Sequence, residues 1–455
     1  MLQSIPPNIQ EGDVNLGTQL DAALPGASRA LLQAVARAAE KRQAPLYLVG
    51  GFVRDLLLDR PALDFDLVVE GDAILLARDL AKHFGGAVTA YAQFGTATWT
   101  IRKVKERVAG KLAASESHTL DSGEMPDALD LVSARRERYA HSGALPEVER
   151  DDIRADTYRR DVTINTLALR LDGEHYGELI DHWNGLDDLR QGRLRVLHDA
   201  SFIDDATRIL RVLRFAARFS FSIEAHSLDL LQAARGHLQE ISGERLRNEF
   251  DLILAESARG AILQQLQEFA ILPAIHPALH FDTDAAQRLA RLPSDQLPAG
   301  WQLEEADRLG LAYLLWLSDL VLEEAGSLAE RLRFTRSLQT ALEGLIKLRS
   351  HLADLAEASP SQVVDQLEKA PDLTLYALTL LEDDPRTRKQ IEAYVMKWKY
   401  VQVGVNGNDL LQRGLPPGPR YAHILKRLRR AWLDGEVGSP DEEHALLDAL
   451  LREDG

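Results

Sequence analysis

Asp64 and Asp66 stand two residues apart in LDFDLVVEG, a stretch in which apolar and polar residues alternate. Extended chain repeats every two residues, so both carboxylates project from one face while Leu63, Phe65 and Leu67 turn to the core. Two acids side by side need a cation. Mg2+ takes oxygen ligands and commonly joins one or two carboxylates to substrate phosphates, which suits two-metal phosphoryl or nucleotidyl transfer. Upstream, LYLV (46–49) runs into Gly50-Gly51 and a short helix carrying Arg54. Glycines let phosphate oxygens approach backbone N–H groups, and a helix N-terminus adds a favourable dipole. About thirteen residues separate this turn from the first acid, which sets a triphosphate cradle beside a metal pair. Taken singly, each feature also fits a plainer role, an exposed strand face with two acids or an ordinary strand-to-helix turn.

Other clusters extend the same chemistry. Arg159-Arg160-Asp161, followed by Asn165, combines donors for phosphate with a carboxylate that accepts from a ribose hydroxyl, or else forms a salt-bridged loop. Asp204-Asp205-x-x-Arg208 opens what reads as one long helix, and its spacing sets Asp205 and Arg208 on one helical face. Cytosine and adenine each present an exocyclic amine beside a ring-nitrogen acceptor, so a carboxylate and an arginine together admit both bases, whereas uracil and guanine reverse the order. The plainer alternative is an acid pair on a helix dipole with an ordinary ion pair. Arg211, Arg214 and Arg218 continue a basic stripe that either balances phosphates or is a solvated face. Asp130, in ALDLVSARRERY, is a candidate third carboxylate that deprotonates the attacking hydroxyl or completes the metal shell. Equally, it pairs with an arginine at 135, 136 or 138. His198-Asp199 lacks a second His-rich motif and reads as a turn.

The elements that must hold these residues follow from periodicity. Residues 1–25 show none and read as a loose leader; a helix begins near Ser28, and short strands alternate with helices up to about residue 170. From about residue 200 strand signals nearly vanish and helical spacing dominates. The expected class is α+β: a first part (26–170) with a small mixed sheet, followed by helical parts over 171–235, 236–385 and 386–455. In the tail, residues 410–433 carry six Lys/Arg and no acid. The Pro/Gly-rich run 416–419 should lead into a helix from about Arg420. Lys426, Arg427 and Arg430, with Trp432, then offer an RNA backbone contact, or pair with acids such as those at 441–444.

Composition narrows the classes. The 455 residues suggest about three domains, and 45% apolar with 27% charged residues argues against a disordered chain. No cysteine is present, which excludes disulfides, thiolate metal sites and a cysteine nucleophile and fits a cytoplasmic protein. Neither a membrane span nor a secretory leader is expected. A net charge of −17 excludes a uniformly basic nucleic-acid coat, so a polyanionic partner must meet a local basic patch.

LVGGFVRDLLLDRPALDFDLVV resembles the signature of class II tRNA nucleotidyltransferases and bacterial poly(A) polymerases, members of the polymerase-β-like nucleotidyltransferases. The resemblance continues through YRRDVTINTLAL (158–169), DHWNGLDDLRQGRLRVL (181–197), SFIDDATRILRVLRFAARF (201–219), SGERLRNEF (242–250) and the tail segment 407–437. It implies Mg2+ on Asp64 and Asp66. It also implies nucleotide contacts from Gly50, Gly51, Arg54, Arg160, Asp161, Asn165, Asp205, Arg208 and Arg211, and RNA contacts from Arg420, Lys426, Arg427 and Arg430. Asp205 and Arg208 match the family's base-reading motif, in which Asp204 replaces the usual glutamate. The implied activity is addition of CMP and AMP from CTP and ATP to a tRNA 3′ end, with release of pyrophosphate; no membrane or protein partner is implied. Addition of A alone or CC alone is an alternative, and the segment 134–158 between the first two motifs argues against CC alone. Poly(A) polymerases of this kind carry a basic Gly-Arg-Arg-Phe-like segment where this chain has QFGTATWTI (93–101). A non-catalytic RNA-binding protein on this fold should first have lost a metal carboxylate, and both are present.

Overall fold

A computed structural model describes residues 14–60, 65–113, 119–141, 143–144 and 146–453. The chain divides into two units, Met1–Ser242 and Gly243–Gly455. The first holds all the strands found among the described residues. The expected α+β class, a mixed sheet followed by helices, is what the chain adopts.

The main sheet of the first unit has seven strands: β1 (Leu46–Val49), β2 (Asp66–Val69), β3 (Ala87–Tyr91), β4 (Thr96–Thr100), β5 (Ala128–Ser133), β8 (Ala168–Arg170) and β9 (Leu179–Ile180). Their order is β3-β4-β5-β2-β1-β8-β9. β2 and β5 run parallel and in register, with Asp66 level with Asp130, while the other neighbours are antiparallel. A separate hairpin, β6 (Arg135–Arg138) and β7 (Glu147–Arg150), follows β5 directly. The short strands β10 (Arg193–Leu194) and β11 (Ser222–Ile223) pair with each other.

Alternation assigns the two faces of the sheet. Leu129, Leu131 and Ser133 turn towards α4 (Ala73–Phe84), whose first amide, Ala73 N, donates to Ser133 Oγ. Helix α2 (Gly26–Glu40) packs on α4, and the fully buried Trp99 stacks near Phe84 beneath them. Asp130 and Val132, with Asp66 and Val68, occupy the opposite face. Of the residues expected to form a loose leader, the described ones are ordered: Gly17–Ala23 forms the helix α1, and Asn15 bridges to Glu178. Leu16, Leu20 and Leu24 recur every four residues and are buried, a helical spacing too short to stand out in a polar stretch.

The described residues of the second unit form helices and loops with no strand. The basic segment forms a helix at Pro419–Asp434, with Pro at its first turn, one residue before the expected start.

Candidate active site

Asp66 opens β2 with its side chain exposed, and Asp130 lies beside it on β5, also exposed. Strands in one sheet are about 4.8 Å apart, so in-register carboxylates on one face are direct neighbours. Thr98, level with Asp130 on β4, donates from Oγ1 to Asp130 Oδ1 at 2.6 Å and orients it. Of the arginines weighed as alternative partners of Asp130, two are engaged elsewhere, Arg135 with Glu137 and Arg136 with Asp151. Asp64 lies outside the described residues. Paired, exposed oxygen donors are the set that a hard divalent cation takes, so the carboxylates fit Mg2+.

The turn after β1 departs from the expected cradle. Gly50 N donates to Leu167 O at 3.0 Å, so this amide belongs to the sheet and is not offered to phosphate. What demands glycine here is space and conformation. Gly50 has φ of 70°, and a Cβ at that position would lie 2.6 Å from Arg160 Nη1 and 3.7 Å from Asp66 Oδ2. Gly51 opens α3 (Gly51–Leu57) and lines a cavity of about 470 Å³ above the carboxylate edge.

Arg54 lines the same cavity, with three of its five N–H donors engaged within the protein. Nε and Nη2 reach Asp55, and Nη1 donates to Asn165 Oδ1 at 2.6 Å. Its guanidinium lies 4.6 Å from the Phe219 ring centroid. These bonds hold the Arg54 guanidinium in place at the cavity wall. Asn165 Nδ2 in turn donates to Asp161 Oδ1 at 2.9 Å, and Asp161 Oδ2 meets Arg211 Nη2 at 2.8 Å. This chain ties α3, the 3-10 turn Thr163–Asn165 and α9 (Thr207–Phe219) into one wall. Burial would raise the Asp161 carboxyl, but Arg211, Asn165, the Val162 amide and Arg208 hold it below the usual carboxylate range.

Arg159 and Arg160 follow α6 (Ile153–Tyr158), which Asp152 caps by accepting from Ala155 N. Both arginines reach back to Asp156, Arg159 at 2.8 Å and Arg160 at 3.3 Å. Asp156 is fully buried; burial would raise its carboxyl, and the two guanidiniums more than offset that and hold it low. Asp156 was not among the sequence candidates, although it stands three and four residues before its partners, the spacing that brings side chains together on a helix.

Asp205 and Arg208 are arranged otherwise than expected. No single long helix carries it: α8 (Ser201–Asp204) ends, Asp205 is extended at φ −144° and ψ 97°, and α9 begins at Thr207. Asp205 Oδ1 accepts from Thr207 N at 3.0 Å and Thr207 Oγ1 at 2.7 Å, the geometry of a residue introducing a helix. Arg208 is buried and donates to Ser201 Oγ at 2.8 Å and Arg159 O at 2.6 Å. Both still line the cavity, approached from two segments rather than one helical face.

The cavity thus collects Gly51, Arg54, Asp66, Arg160, Asp161, Asn165, Asp205, Arg208 and Arg211 of the sequence candidates, with Arg159 beside them. It also includes Glu137 and Tyr139, which sequence reasoning passed over. Tyr139 OH donates to Glu137 Oε2 at 2.7 Å, and Arg135 and Arg159 both pair with Glu137. Burial and the neighbouring Glu137 push the Tyr139 phenol upward. Arg135, Glu137 and Tyr139 alternate along β6 and just beyond, a period-two signal present in RRERY.

The four tail candidates lie in the second unit. Arg420 stands at the start of the helix Pro419–Asp434, Lys426 Nζ meets Asp365 at 2.7 Å and Arg430 meets the same carboxylate, while Arg427 meets Glu436 at 2.6 Å. The acids that pair with Lys426, Arg427 and Arg430 are thus Asp365 and Glu436, not those at 441–444. Lys426 and Arg430 remain about half exposed.

The model of the poly(A) polymerase head domain matches residues 46–195, and that of the probable RNA and SrmB-binding site of polymerase A matches residues 220–282. An A-adding tRNA nucleotidyltransferase of Halalkalibacterium halodurans is 32% identical over 403 residues, covering 87% of this chain and 86% of that protein. The chain belongs to the class II tRNA nucleotidyltransferase family. An A-adding tRNA nucleotidyltransferase of Geobacter sulfurreducens is 33% identical across 92% of this chain, which spans only 47% of that relative's length. Among solved structures, an apo CCA-adding enzyme superposes with a TM-score of 0.77 at 27% identity, covering 98% of this nucleotidyltransferase chain and all of the other. The Thermotoga maritima CCA-adding enzyme complexed with tRNA superposes at 0.71 and 26% identity, covering 98% of this chain and all of that one. Among the described residues, no helix is long and apolar enough to cross a membrane.

Proposed function

We propose that this nucleotidyltransferase adds CMP and AMP, from CTP and ATP, to the 3′ end of tRNA in the cytoplasm, releasing pyrophosphate. The observation that carries the reading is the cavity above the carboxylate edge, where Asp66 faces five arginines: Arg54, Arg159, Arg160, Arg208 and Arg211. That charge pattern suits a triphosphate held over a metal-binding carboxylate. Mg2+, as one ion or two, held by Asp66 and Asp130 with Asp64, would supply Lewis-acid polarisation of the reacting phosphate. Asp130, oriented by Thr98, takes the proton of the attacking ribose hydroxyl. Arg160 and Arg211 flank the phosphates, Gly51 admits them closely, and Asp161, fixed by Asn165, accepts from the nucleotide's ribose. Asp205 and Arg208 read the base. In this reading residues 26–170 are the catalytic head, 171–235 the base-selecting neck, 236–385 a body and 386–455 a tail that contacts tRNA. Support for substrate and partner comes from relatives described with ATP, with CTP and with tRNA.

A second reading, addition of A alone, is favoured by the names of three relatives at 32–33% identity, all A-adding, against 29% for a CC-adding and 25% for a CCA-adding one. The two separate in one assay. Purified protein is given tRNA ending before the CCA, tRNA ending in CC, or complete tRNA, with each labelled nucleotide separately. Incorporation of C on the first substrate and A on the second establishes CCA addition; A on the second alone establishes the other reading. Extension beyond one CCA overturns both in favour of poly(A) synthesis.

Asp205→Ala removes the acceptor for the exocyclic amine and leaves the carboxylate edge intact. Discrimination against UTP and GTP should fall roughly ten- to hundredfold while transfer persists, because one base-edge contact is worth about 1–3 kcal/mol. Unchanged ratios among the four triphosphates would show that another group reads the base. In the tail, replacing Lys426, Arg427 and Arg430 by Gln should weaken tRNA binding. It should also flatten the dependence of log K on log salt by about one unit for each phosphate these side chains neutralise. An unaltered slope would leave their ion pairs with Asp365 and Glu436 as their whole role.

A further inference from the structure

Beside the cavity, and outside its lining, three rings stand together. Tyr158, the last residue of α6, is 41% exposed although it has two aromatic neighbours. Its centroid lies 4.8 Å from that of Trp183 and 5.1 Å from that of His198. The Arg154 guanidinium sits 5.2 Å from the Trp183 centroid. The group is held rigidly. Trp183 Nε1 donates to Thr157 Oγ1 at 2.9 Å, and Asp181 accepts from Gly185 N at 2.8 Å and Leu186 N at 2.9 Å, bracing the turn that carries Trp183. Burial and nearby Arg208 hold the His198 imidazole below its ordinary value, so that ring is neutral at neutral pH.

Exposed, preorganised aromatic faces flanked by a cation are what unpaired nucleobases stack on. The position of the rings says which base. Tyr158 directly precedes Arg159 and Arg160, which line the cavity, and His198 Nε2 is 3.9 Å from Asp204, the neighbour of Asp205. Because the rings are not part of the cavity wall, their ligand arrives from outside it and ends within it. A 3′-terminal nucleotide whose hydroxyl attacks inside the cavity has that geometry; the incoming triphosphate, wholly inside, does not.

We propose that Tyr158, supported by Trp183 and His198, with Arg154 over Trp183, forms a stacking platform for the base of the RNA acceptor's 3′-terminal nucleotide. The proposal rests on the cavity being the nucleotidyl-transfer site, and its test separates the two. Binding is measured for tRNA lacking its final A and for the same tRNA with its terminal residue abasic. Wild-type protein should bind the abasic form roughly tenfold or more weakly. Tyr158→Ala should bind both forms equally and weakly, and Tyr158→Phe, which keeps the ring, should behave as wild type. In turnover, Tyr158→Ala should raise KM for tRNA by a similar factor and leave KM for ATP within about twofold. A wild type indifferent to the missing base, or a Tyr158→Ala variant that still discriminates, overturns the platform; so does an equal rise in KM for ATP, which would put the rings against the incoming nucleotide. Should the wild type bind tRNA but transfer nothing, the proposed function fails while the binding comparison still decides the platform.

Discussion

Asp66→Ala should lower nucleotide incorporation by about a thousandfold and leave tRNA binding within a few-fold of wild type. The carboxylate is exposed at the head of β2, so its removal opens no cavity in the core. What disappears is negative charge where a divalent cation and the reacting phosphate must meet, and losses of this kind are large because the site is organised in advance. Asp66→Asn tests the same point with less change in shape, since the amide keeps one oxygen and loses the charge. Single-turnover incorporation, measured beside a tRNA-binding titration, checks both halves. Near-normal turnover would remove Asp66 from the reaction.

Asp156→Ala acts by another route. The carboxylate is fully buried between Arg159 and Arg160, and removing one partner of a buried ion pair typically costs about 3–5 kcal/mol because charge is left uncompensated. For a unit of this size that amounts to a fall of roughly 10 °C in melting temperature. Activity should fall further than stability explains, since Arg159 and Arg160 line the cavity and lose the anchor that aims them. The pH dependence carries the same signature. Asp156 and Asp161 are both held below the ordinary carboxylate range, so each adds stability that is fully present above about pH 4 and is lost as pH falls through the lower folded value. Asp156→Asn should therefore show a shallower loss of stability between pH 4 and 2 than wild type. Identical acid-unfolding curves would mean that the carboxylate's charge is not what stabilises this wall.

These two residues mark what was legible in the chain and what was not. Asp66 was legible because it sits in a strand whose period-two alternation can have only one inward face, and the glycine turn of β1 was legible because Gly50 needs a positive φ there. Asp156 and Glu137 were not singled out, because a carboxylate among arginines reads as a solvated ion pair until burial is known. Asp205 exposes a different limit. The spacing Asp205-x-x-Arg208 satisfies a helical face equally well whether the acid lies in the helix or just before it. The bonds from Asp205 to the Thr207 amide and hydroxyl decide for the second. The partners of the tail cations were hidden as well. The run of six basic residues stands out in sequence, yet Lys426, Arg427 and Arg430 find acids contributed by Asp365 and Glu436, one of them remote in the chain. The ordering of α1 was equally hidden, because three leucines at helical spacing are too few to be seen without the surface they cover.

Under the proposed function, the cavity of the first unit passes the nucleotidyl group of a nucleoside triphosphate, through its α-phosphorus, to an RNA 3′-hydroxyl. The direct measurement gives the purified protein tRNA lacking its final A, with Mg2+ and ATP labelled at either the α- or the γ-phosphate. The account predicts that α-label enters the tRNA as one terminal nucleotide, that γ-label leaves as pyrophosphate in equal amount, and that Asp66→Ala abolishes both. Transfer of γ-label to the RNA, pyrophosphate release without extension, or undiminished extension by Asp66→Ala would contradict it.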